Sequence, residues 1–438
     1  METKKKLYIE TYGCQMNFAD SEIVASVLSE DYTICTDPKE ADLIIVNTCS
    51  IRENAEQRVL KRLTELNAVY RKNHRVKIGL IGCMAERFHK QLIMGGRVDF
   101  VAGPDAYRSL PVLLNHSNEE ATNILLSTVE TYDDINPIRY DSNGVSAFIS
   151  IMRGCNNFCS YCVVPYTRGR ERSRDPKSIL AEVEQLCEKG FKEITLLGQN
   201  VNSYLWESYY GFPQLMNDIA QMDASLRLRF ATSHPKDLSD DLLIVMAANP
   251  NVCKSIHLPA QSGSNAILKK MNRKYTREWY LDRVEAIRKH MPDAGISTDL
   301  IAGFCGETEQ DHLDTLSLME KVGYDYAFMF KYSERSGTHA AKHFNDDVPE
   351  EVKTKRLEEI ISLQQASSHT SNLSDIGKTF EVLIEGTSKR SEEFYVGRNS
   401  QNKVIVFPKT IHPKGSYVQV KVESCTTATL LGNVAEAL

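Results

Sequence analysis

The chain lacks any uninterrupted apolar run of about 18 residues, the least a helix needs to cross a bilayer, so membrane insertion is not expected. No secretory signal is expected either. Met1-Glu2-Thr3-Lys4-Lys5-Lys6 leads into Leu7-Tyr8-Ile9-Glu10, too short and too quickly acidic for one, so a cytoplasmic protein is expected. No strong charge imbalance is present either. With 52 basic against 58 acidic residues the net charge is -6, which argues against coating nucleic acid non-specifically while leaving room for a local basic groove. At 42% hydrophobic and 25% charged the composition has no bias toward disorder, and 438 residues suffice for two or three domains with real cores. Cysteine is what the chain has in plenty. Eleven is an odd number without a secretory context, and favours ligation or catalysis over a disulfide framework.

Three of these cysteines lie in Arg153-Gly154-Cys155-Asn156-Asn157-Phe158-Cys159-Ser160-Tyr161-Cys162, at the spacing C-x3-C-x2-C. Three thiolates so close can hold three irons of a [4Fe-4S] cluster. The fourth iron then stays open to a small chelating ligand, as redox chemistry requires. A zinc site is the alternative, but zinc sites usually show paired C-x2-C knuckles or Cys/His sets, and neither His257 nor His234 is near enough in sequence to complete one obviously.

The first segment alternates strand and helix. Leu7 to Tyr12 reads as a strand ending at Gly13-Cys14, followed by a helix around Asp20 to Ser29. Asp42 to Asn47 is a continuous apolar strand ending at Thr48-Cys49, and Val76 to Gly82 repeats the pattern up to Cys83, with a charged helix from Glu53 to about Arg71 between them. A fourth strand is expected at Val98 to Val101. An open parallel α/β sheet follows, and such sheets bind ligands beyond the carboxyl ends of their strands. Cys14, Cys49 and Cys83 each fall just past such an end, so the three are expected to converge although they are far apart in sequence.

Residues 115–144, rich in Ser, Asn and Asp, read as a linker that packs on the surface. Ser146 to Ile151 then starts a strand that runs into the Cys155 loop, and further strands are expected at Glu193 to Leu197, Leu226 to Ala231, Ser255 to Leu258, Gly295 to Ile301 and Tyr326 to Tyr332. Helices at Ser178 to Lys189 and Arg277 to Lys289 separate some of these. Six β/α repeats suit an open partial barrel, whose strand ends carry polar runs such as Leu197-Gly198-Gln199-Asn200, Thr232-Ser233-His234-Pro235 and Gln261-Ser262-Gly263. Arg168-Gly169-Arg170-Glu171-Arg172-Ser173-Arg174 sets four arginines against one glutamate, a stretch suited to gripping phosphates or else to being a solvated face. A helix from Pro349 to Ser367 closes the central region. The tail reads as short β runs, and a small antiparallel barrel is the simplest fold for them.

The Cys155 run resembles the signature of radical S-adenosylmethionine (SAM) enzymes, and Val163-Val164-Pro165-Tyr166-Thr167-Arg168-Gly169 resembles their methylthiotransferase branch. Tyr12-Gly13-Cys14-Gln15-Met16-Asn17, Asn47-Thr48-Cys49-Ser50-Ile51-Arg52-Glu53 and Gly82-Cys83-Met84-Ala85-Glu86 are similar to that branch's amino-terminal domain, the first two most of all to its MiaB-type tRNA enzymes. The tail resembles a TRAM domain. The resemblance implies domains at 1–115, 145–374 and 375–438 with a linker at 116–144: an α/β sheet domain, a partial (β/α)6 radical SAM barrel and a TRAM barrel. It implies two [4Fe-4S] clusters, one on Cys155, Cys159 and Cys162 that chelates SAM and an auxiliary one on Cys14, Cys49 and Cys83. Tyr161, Gly198, Gln199, Asn200, Ser233, Gln261 and Ser262 would line the SAM pocket. Arg168, Arg170, Arg172, Arg174, Arg398 and Lys403, with Asn399 and Asn402, would contact RNA. Cys305, where the family commonly has proline, and Cys35, Cys187, Cys253 and Cys425 are expected bystanders. The implied reaction is methylthiolation at C2 of N6-isopentenyladenosine in a tRNA anticodon stem-loop, by a monomer supplied by a flavodoxin- or ferredoxin-type electron donor and a sulfur source. Threonylcarbamoyl-adenosine tRNA or a ribosomal-protein aspartate are alternative substrates, and a non-catalytic iron-sulfur scaffold is the alternative of another class.

Overall fold

The computed structural model describes residues 4–49, 53–71, 76–116, 121–140 and 142–435. Its amino-terminal part is a six-stranded parallel sheet of β1 (Lys5–Thr11), β2 (Tyr32–Ile34), β3 (Leu43–Thr48), β4 (Lys77–Gly82), β5 (Phe100–Ala102) and β6 (Thr122–Asn123), in the order β2-β1-β3-β4-β5-β6. The run Leu43-Ile44-Ile45-Val46 is apolar without alternation because both faces of β3 are covered. Leu43 and Ile45 pack with Ile23 and Val24 of α1 (Gln15–Val27), while Ile44 and Val46 pack with Val59 and Leu63 of α2 (Glu53–Leu66). α1 starts well before the expected Asp20, because Cys14, with extended backbone, is its N-cap.

Residues 116–144 depart from the linker expectation. Their described part supplies β6 and the buried Tyr132, whose hydroxyl donates to the Pro104 carbonyl at 3.0 Å and accepts the Tyr107 amide at 3.0 Å. A polar composition hid a segment pinned into the first domain by a strand, a buried tyrosine and ion pairs such as Arg108–Glu130 and Arg139–Glu22.

Next come six parallel strands, β7 (Ser146–Ser150), Glu193–Leu197, Arg227–Phe230, Ser255–His257, Gly295–Ala302 and Tyr326–Lys331, arranged as two three-stranded sheets joined by a parallel bridge between Leu228 and Val252. This is the partial barrel expected. Side chains facing its helices form the core, as Leu228 and Leu300 do, whereas the opposite face of the last strand stays half open, with Phe328 41% and Tyr326 54% exposed.

Helix Glu350–Leu373 is about 36 Å long and runs down the outside of the barrel. Lys353 lies against Gly303 at a strand's carboxyl end, and Gln364 donates to the Tyr324 carbonyl at an amino end. The helix delivers the chain to a closed five-stranded barrel, residues 379–434. That barrel docks on the amino ends of the central strands. Arg227 and Arg229 donate to the carbonyls of Arg398 and Asn399 at 2.6 and 2.7 Å, and the Tyr417 hydroxyl donates to those of Lys192 and Ser225.

The first domain meets the central one at the opposite, carboxyl end. Met16 and Ala19 pack on Leu197 and Phe148, and the buried Asp20 accepts from Arg153 at 2.9 Å, Arg168 at 2.8 Å and Tyr107 at 3.2 Å. Burial alone would raise the Asp20 carboxyl, but the two guanidinium groups overcome it and hold it below the usual carboxylate range. Asp20→Ala should leave the buried Arg168 without its carboxylate and Arg153 with only Asp105 at 3.6 Å, and cost about 3–5 kcal/mol, read as a lower denaturant midpoint for separation of the two domains. Because the folded value is depressed, the contribution of Asp20 is fully present above about pH 4. It is lost as pH falls through the folded value, so the wild-type midpoint should approach that of the variant in acid.

Candidate functional site: two facing sets of thiols

Cys14 caps α1 after β1, Cys49 follows β3, and Cys83 opens α3 (Cys83–Met94) directly after β4. The three therefore lie at neighbouring carboxyl ends, as the strand pattern predicts. Asn17 ties two of these ends together: its amide donates to Asn47 Oδ1 and the Thr48 carbonyl at 3.1 and 3.0 Å, and its carbonyl oxygen accepts from the Cys14 thiol at 3.3 Å. Gly82 has φ of +91°, and a Cβ there would stand 2.5 Å from the Thr48 carbonyl, so only glycine lets β4 turn into Cys83 beside β3. A hydrogen bond with Cys49 brings the Cys14 thiol down to about 6, against the effect of burial and with help from Arg168.

The Cys155 loop is held from both sides. The Cys155 amide donates to the Gly169 carbonyl at 3.1 Å, the Ser160 amide to that of Met271 at 3.0 Å, and Asn272 Nδ2 to that of Phe158 at 2.9 Å. Gly154 has φ of +79°, and a Cβ there would be 2.0 Å from the Arg170 carbonyl. Burial pushes the Cys155 and Cys162 thiols up, to about 11 and about 12. Arg273, fixed by the Pro259 carbonyl and the Tyr275 hydroxyl, donates to Cys159 Sγ at 3.2 Å.

The two sets face each other. Arg168 Nε donates to Cys83 Sγ at 3.3 Å while the next residue, Gly169, accepts from Cys155. Each set thus has one sulfur bonded to a buried guanidinium, a charge arrangement suited to an anionic thiolate cluster. Among the described residues no three Cys, His, Asp or Glu side chains converge where a single metal ion could sit. Ligands of a wider multi-iron core have no need to.

The expected SAM residues cluster at the same end. Gly198 presses on Met152, where a Cβ would lie 2.4 Å from Cγ, and Gln199 Oε1 accepts the Gly154 amide at 2.5 Å, so this turn also braces the cysteine loop. Asn200 donates to Asp237 at 2.7 Å, but its Oδ1 is buried without a partner, as are Ser233 Oγ and His234 Nε2. Burial, reinforced by Arg273 and Lys236, brings His234 down to about 2 and keeps it neutral. Three unpartnered polar atoms in neighbouring loops suit a polar ligand. Tyr161 is half-buried, edge-on to Phe304 at 6.4 Å, and Gln261, at φ of +68°, bridges to Leu300. Ser262 is turned the other way, its hydroxyl accepting the Ser264 amide and meeting Thr315 Oγ1 at 3.4 Å.

The expected RNA contacts need correction. Arg168, Arg172 and Arg174 are buried: Arg168 on Asp20, Arg172 on Asp105 at 2.9 Å, and Arg174 on Glu182 and Ser178. These three hold the structure together and are not free for phosphates. Arg170 alone of the four is exposed, its guanidinium 5.7 Å from the centre of the Phe158 ring. In the terminal barrel Lys403 is bound to Asp375 and Ser371 and Asn399 is buried, whereas Arg398, paired with Glu385, keeps 40% of its side chain exposed. Sequence reading missed Asn17, Asp20 and Arg273. Asn17 stands inside the Cys14 motif but its tie to Asn47 and Thr48 is visible only in the fold, and Asp20 and Arg273 stand in no local motif.

Residues 149–319 match the radical SAM superfamily, residues 6–103 the uncharacterized protein family UPF0004, and residues 374–435 the TRAM domain. The fold agrees: a radical S-adenosylmethionine methyltransferase, TsrM from Kitasatospora setae, aligns with a TM-score of 0.57 at 14% identity over 74% of this chain and 73% of its own. Fold and cysteine loop together define a radical SAM protein, a class that uses SAM and a [4Fe-4S] cluster. At 57% identity over 99% of this chain and 96% of its own, a Parabacteroides distasonis protein bears the name tRNA-2-methylthio-N(6)-dimethylallyladenosine synthase, and so does one of Bacteroides fragilis at 56% over 98% and 96%. The chain belongs to that family of methylthiotransferases.

Gly154→Ala should displace the Cys155 loop from Arg170, so that the anaerobically reconstituted variant binds less iron than wild type while its circular dichroism is unchanged. Arg273→Met removes the hydrogen bond to Cys159, so a [4Fe-4S] cluster bound by this loop should become harder to reduce, read as a more negative midpoint in an EPR-monitored redox titration.

Proposed function

We propose that the chain inserts a methylthio group at C2 of N6-isopentenyladenosine next to the anticodon of tRNA. The observation that carries this reading is the facing of the two thiol sets, bridged by Arg168 from Cys83 to the loop of Cys155. A carbon bearing neither an acidic proton nor a leaving group is out of reach for general acid-base or nucleophilic catalysis, so its C-H bond calls for a radical. Bound at Cys155, Cys159 and Cys162, a [4Fe-4S] cluster would supply the electron that cleaves SAM to a 5′-deoxyadenosyl radical, and a second one at Cys14, Cys49 and Cys83 would carry the methylated sulfur. The chain's own part is positional. Asn17 and Gly82 gather the first set, Gln199, Gly154 and Arg273 brace the second, and Asp20 locks the two domains in one register, as a reaction through a short-lived radical would need. Asn200, Ser233 and the neutral His234 would bind polar groups of SAM, and Tyr161 would lie against its adenine. Ser262, turned toward Thr315, would support the Gln261 loop from behind.

The test is anaerobic turnover with SAM, a chemical reductant and isopentenyl-modified anticodon stem-loop RNA, following 5′-deoxyadenosine and nucleoside mass together. A mass gain of one methylthio group, lost in Cys155→Ala and in Cys14→Ala, is expected. Deoxyadenosine without a modified nucleoside would move the substrate elsewhere, and none at all from cluster-loaded protein would end the enzymatic reading.

A further inference from the structure

The terminal barrel sits on the amino ends of the central strands, and the thiols lie beyond the carboxyl ends. A strand such as Gly295–Ala302 alone spans about 26 Å. RNA held by the terminal barrel therefore needs a second foothold at the catalytic rim, and three of the four arginines expected there are buried in ion pairs.

The rim carries another surface. The Arg170 guanidinium lies over the Phe158 ring, which meets the Tyr166 ring edge-on at 6.2 Å, and the Lys342 ammonium is 5.9 Å from the centre of Tyr166. Beyond it His339 stacks on Phe344 at 5.5 Å, and the Lys270 ammonium is 5.2 Å from the Phe344 ring. Tyr166 is 42% exposed, and Arg170, Lys342, His339 and Lys269 are all open to solvent. Lys269, Lys270, Asn272, His339 and Phe344 also surround a hollow of about 500 Å³ that reaches Ser160, between Cys159 and Cys162. That volume suits one nucleobase with its ribose. Lys270 shares its place against Gly306 with Asp347, so the net positive charge rests on Arg170, Lys342 and Lys269.

We propose that this strip of alternating cations and rings, from Arg170 through Tyr166 and Lys342 to Phe344, is where unpaired anticodon-loop nucleotides lie as the target base enters. Cations alone would suit an acidic electron-carrier protein equally. The exposed Tyr166 and His339 rings, beside the half-buried Phe158 and Phe344, favour single-stranded RNA, since every base has a face to stack while phosphates pass the charges. The inference rests on the tRNA reading above and assigns it a surface.

The experiment measures affinity of the full chain for isopentenyl-modified anticodon stem-loop RNA by fluorescence anisotropy at fixed salt, for wild type, Tyr166→Ala, Tyr166→Phe and Lys342→Glu. Tyr166→Ala and Lys342→Glu should each weaken binding on the order of tenfold, and Tyr166→Phe should bind as wild type does. Reductant-driven SAM cleavage without RNA should not change in any of them. Affinities within twofold of wild type for Tyr166→Ala and Lys342→Glu would overturn the proposal. So would normal RNA binding combined with loss of SAM cleavage only when a flavodoxin replaces the chemical reductant, which would make the strip a carrier dock. Wild-type protein that binds the stem-loop tightly yet never methylthiolates it would sink the tRNA reaction and leave the strip standing. Active wild type with unaffected variants would sink the strip alone.

Discussion

One buried carboxylate sets the geometry on which the rest depends. Asp20 comes from the first domain, and its two guanidinium partners come from the strand leading into Cys155 and from the loop that returns from Cys162. Desolvating one anion and two cations is expensive, and such a network rarely adds much net stability over apolar packing. What it does is fix register. Apolar contacts such as Met16 on Leu197 tolerate sliding, whereas a carboxylate accepting from two guanidinium groups and the Tyr107 hydroxyl leaves one arrangement. Because Arg168 also bonds Cys83, the register set at Asp20 passes directly to the sulfurs.

The same constraint explains the division of labour between the barrel's ends. The first domain's sheet and the central barrel each place three cysteines beyond the carboxyl ends of their strands, so bringing the two sets together requires the domains to meet end to end. The amino ends of the central strands then remain for the terminal barrel, which Arg227 and Arg229 hold through its backbone carbonyls. Helix Glu350–Leu373 is the strut that carries the chain from one end to the other, and its contacts at Gly303 and Tyr324 show that it spans the full height.

Much of this was legible in the sequence. Apolar runs such as Leu43 to Val46 mark strands buried on both faces, and a cysteine after three of them predicts convergence from topology alone. The Cys155 spacing and the β-rich tail were equally readable. The α1 start was less so, since Cys14 caps the helix without a side-chain hydrogen bond and is not a usual capping residue. The segment 116–144 was misread because composition reports average polarity, while its placement follows from the pairing of β6, the burial of Tyr132 and ion pairs such as Arg108–Glu130 and Arg139–Glu22. Ser262 fits a strand-end pocket by position, yet its rotamer is settled by Thr315, 53 residues away.

The arginine run shows the limit most clearly. Four arginines in seven residues look like a phosphate grip because each charge, taken alone, is cheaper in water than inside a protein. Whether a charge stays in water depends on where its partners are, and these are Asp20, Asp105 and Glu182, from three separate elements. Asp20 and Asp105 are far in sequence from Arg168 and Arg172, and Glu182, eight residues after Arg174, lies on the following helix beyond any i, i+4 spacing, so no local pattern reveals the pairings. Arg172 is drawn inward by the short antiparallel pairing of Arg172–Ser173 with Met152–Arg153, which aligns it with the buried Arg153. Arg170 lies on the turn before that pairing and is left outside. Burial of three members and exposure of the fourth follow from one folded-back loop. The residue most exposed to solvent is then the one free to act on a partner.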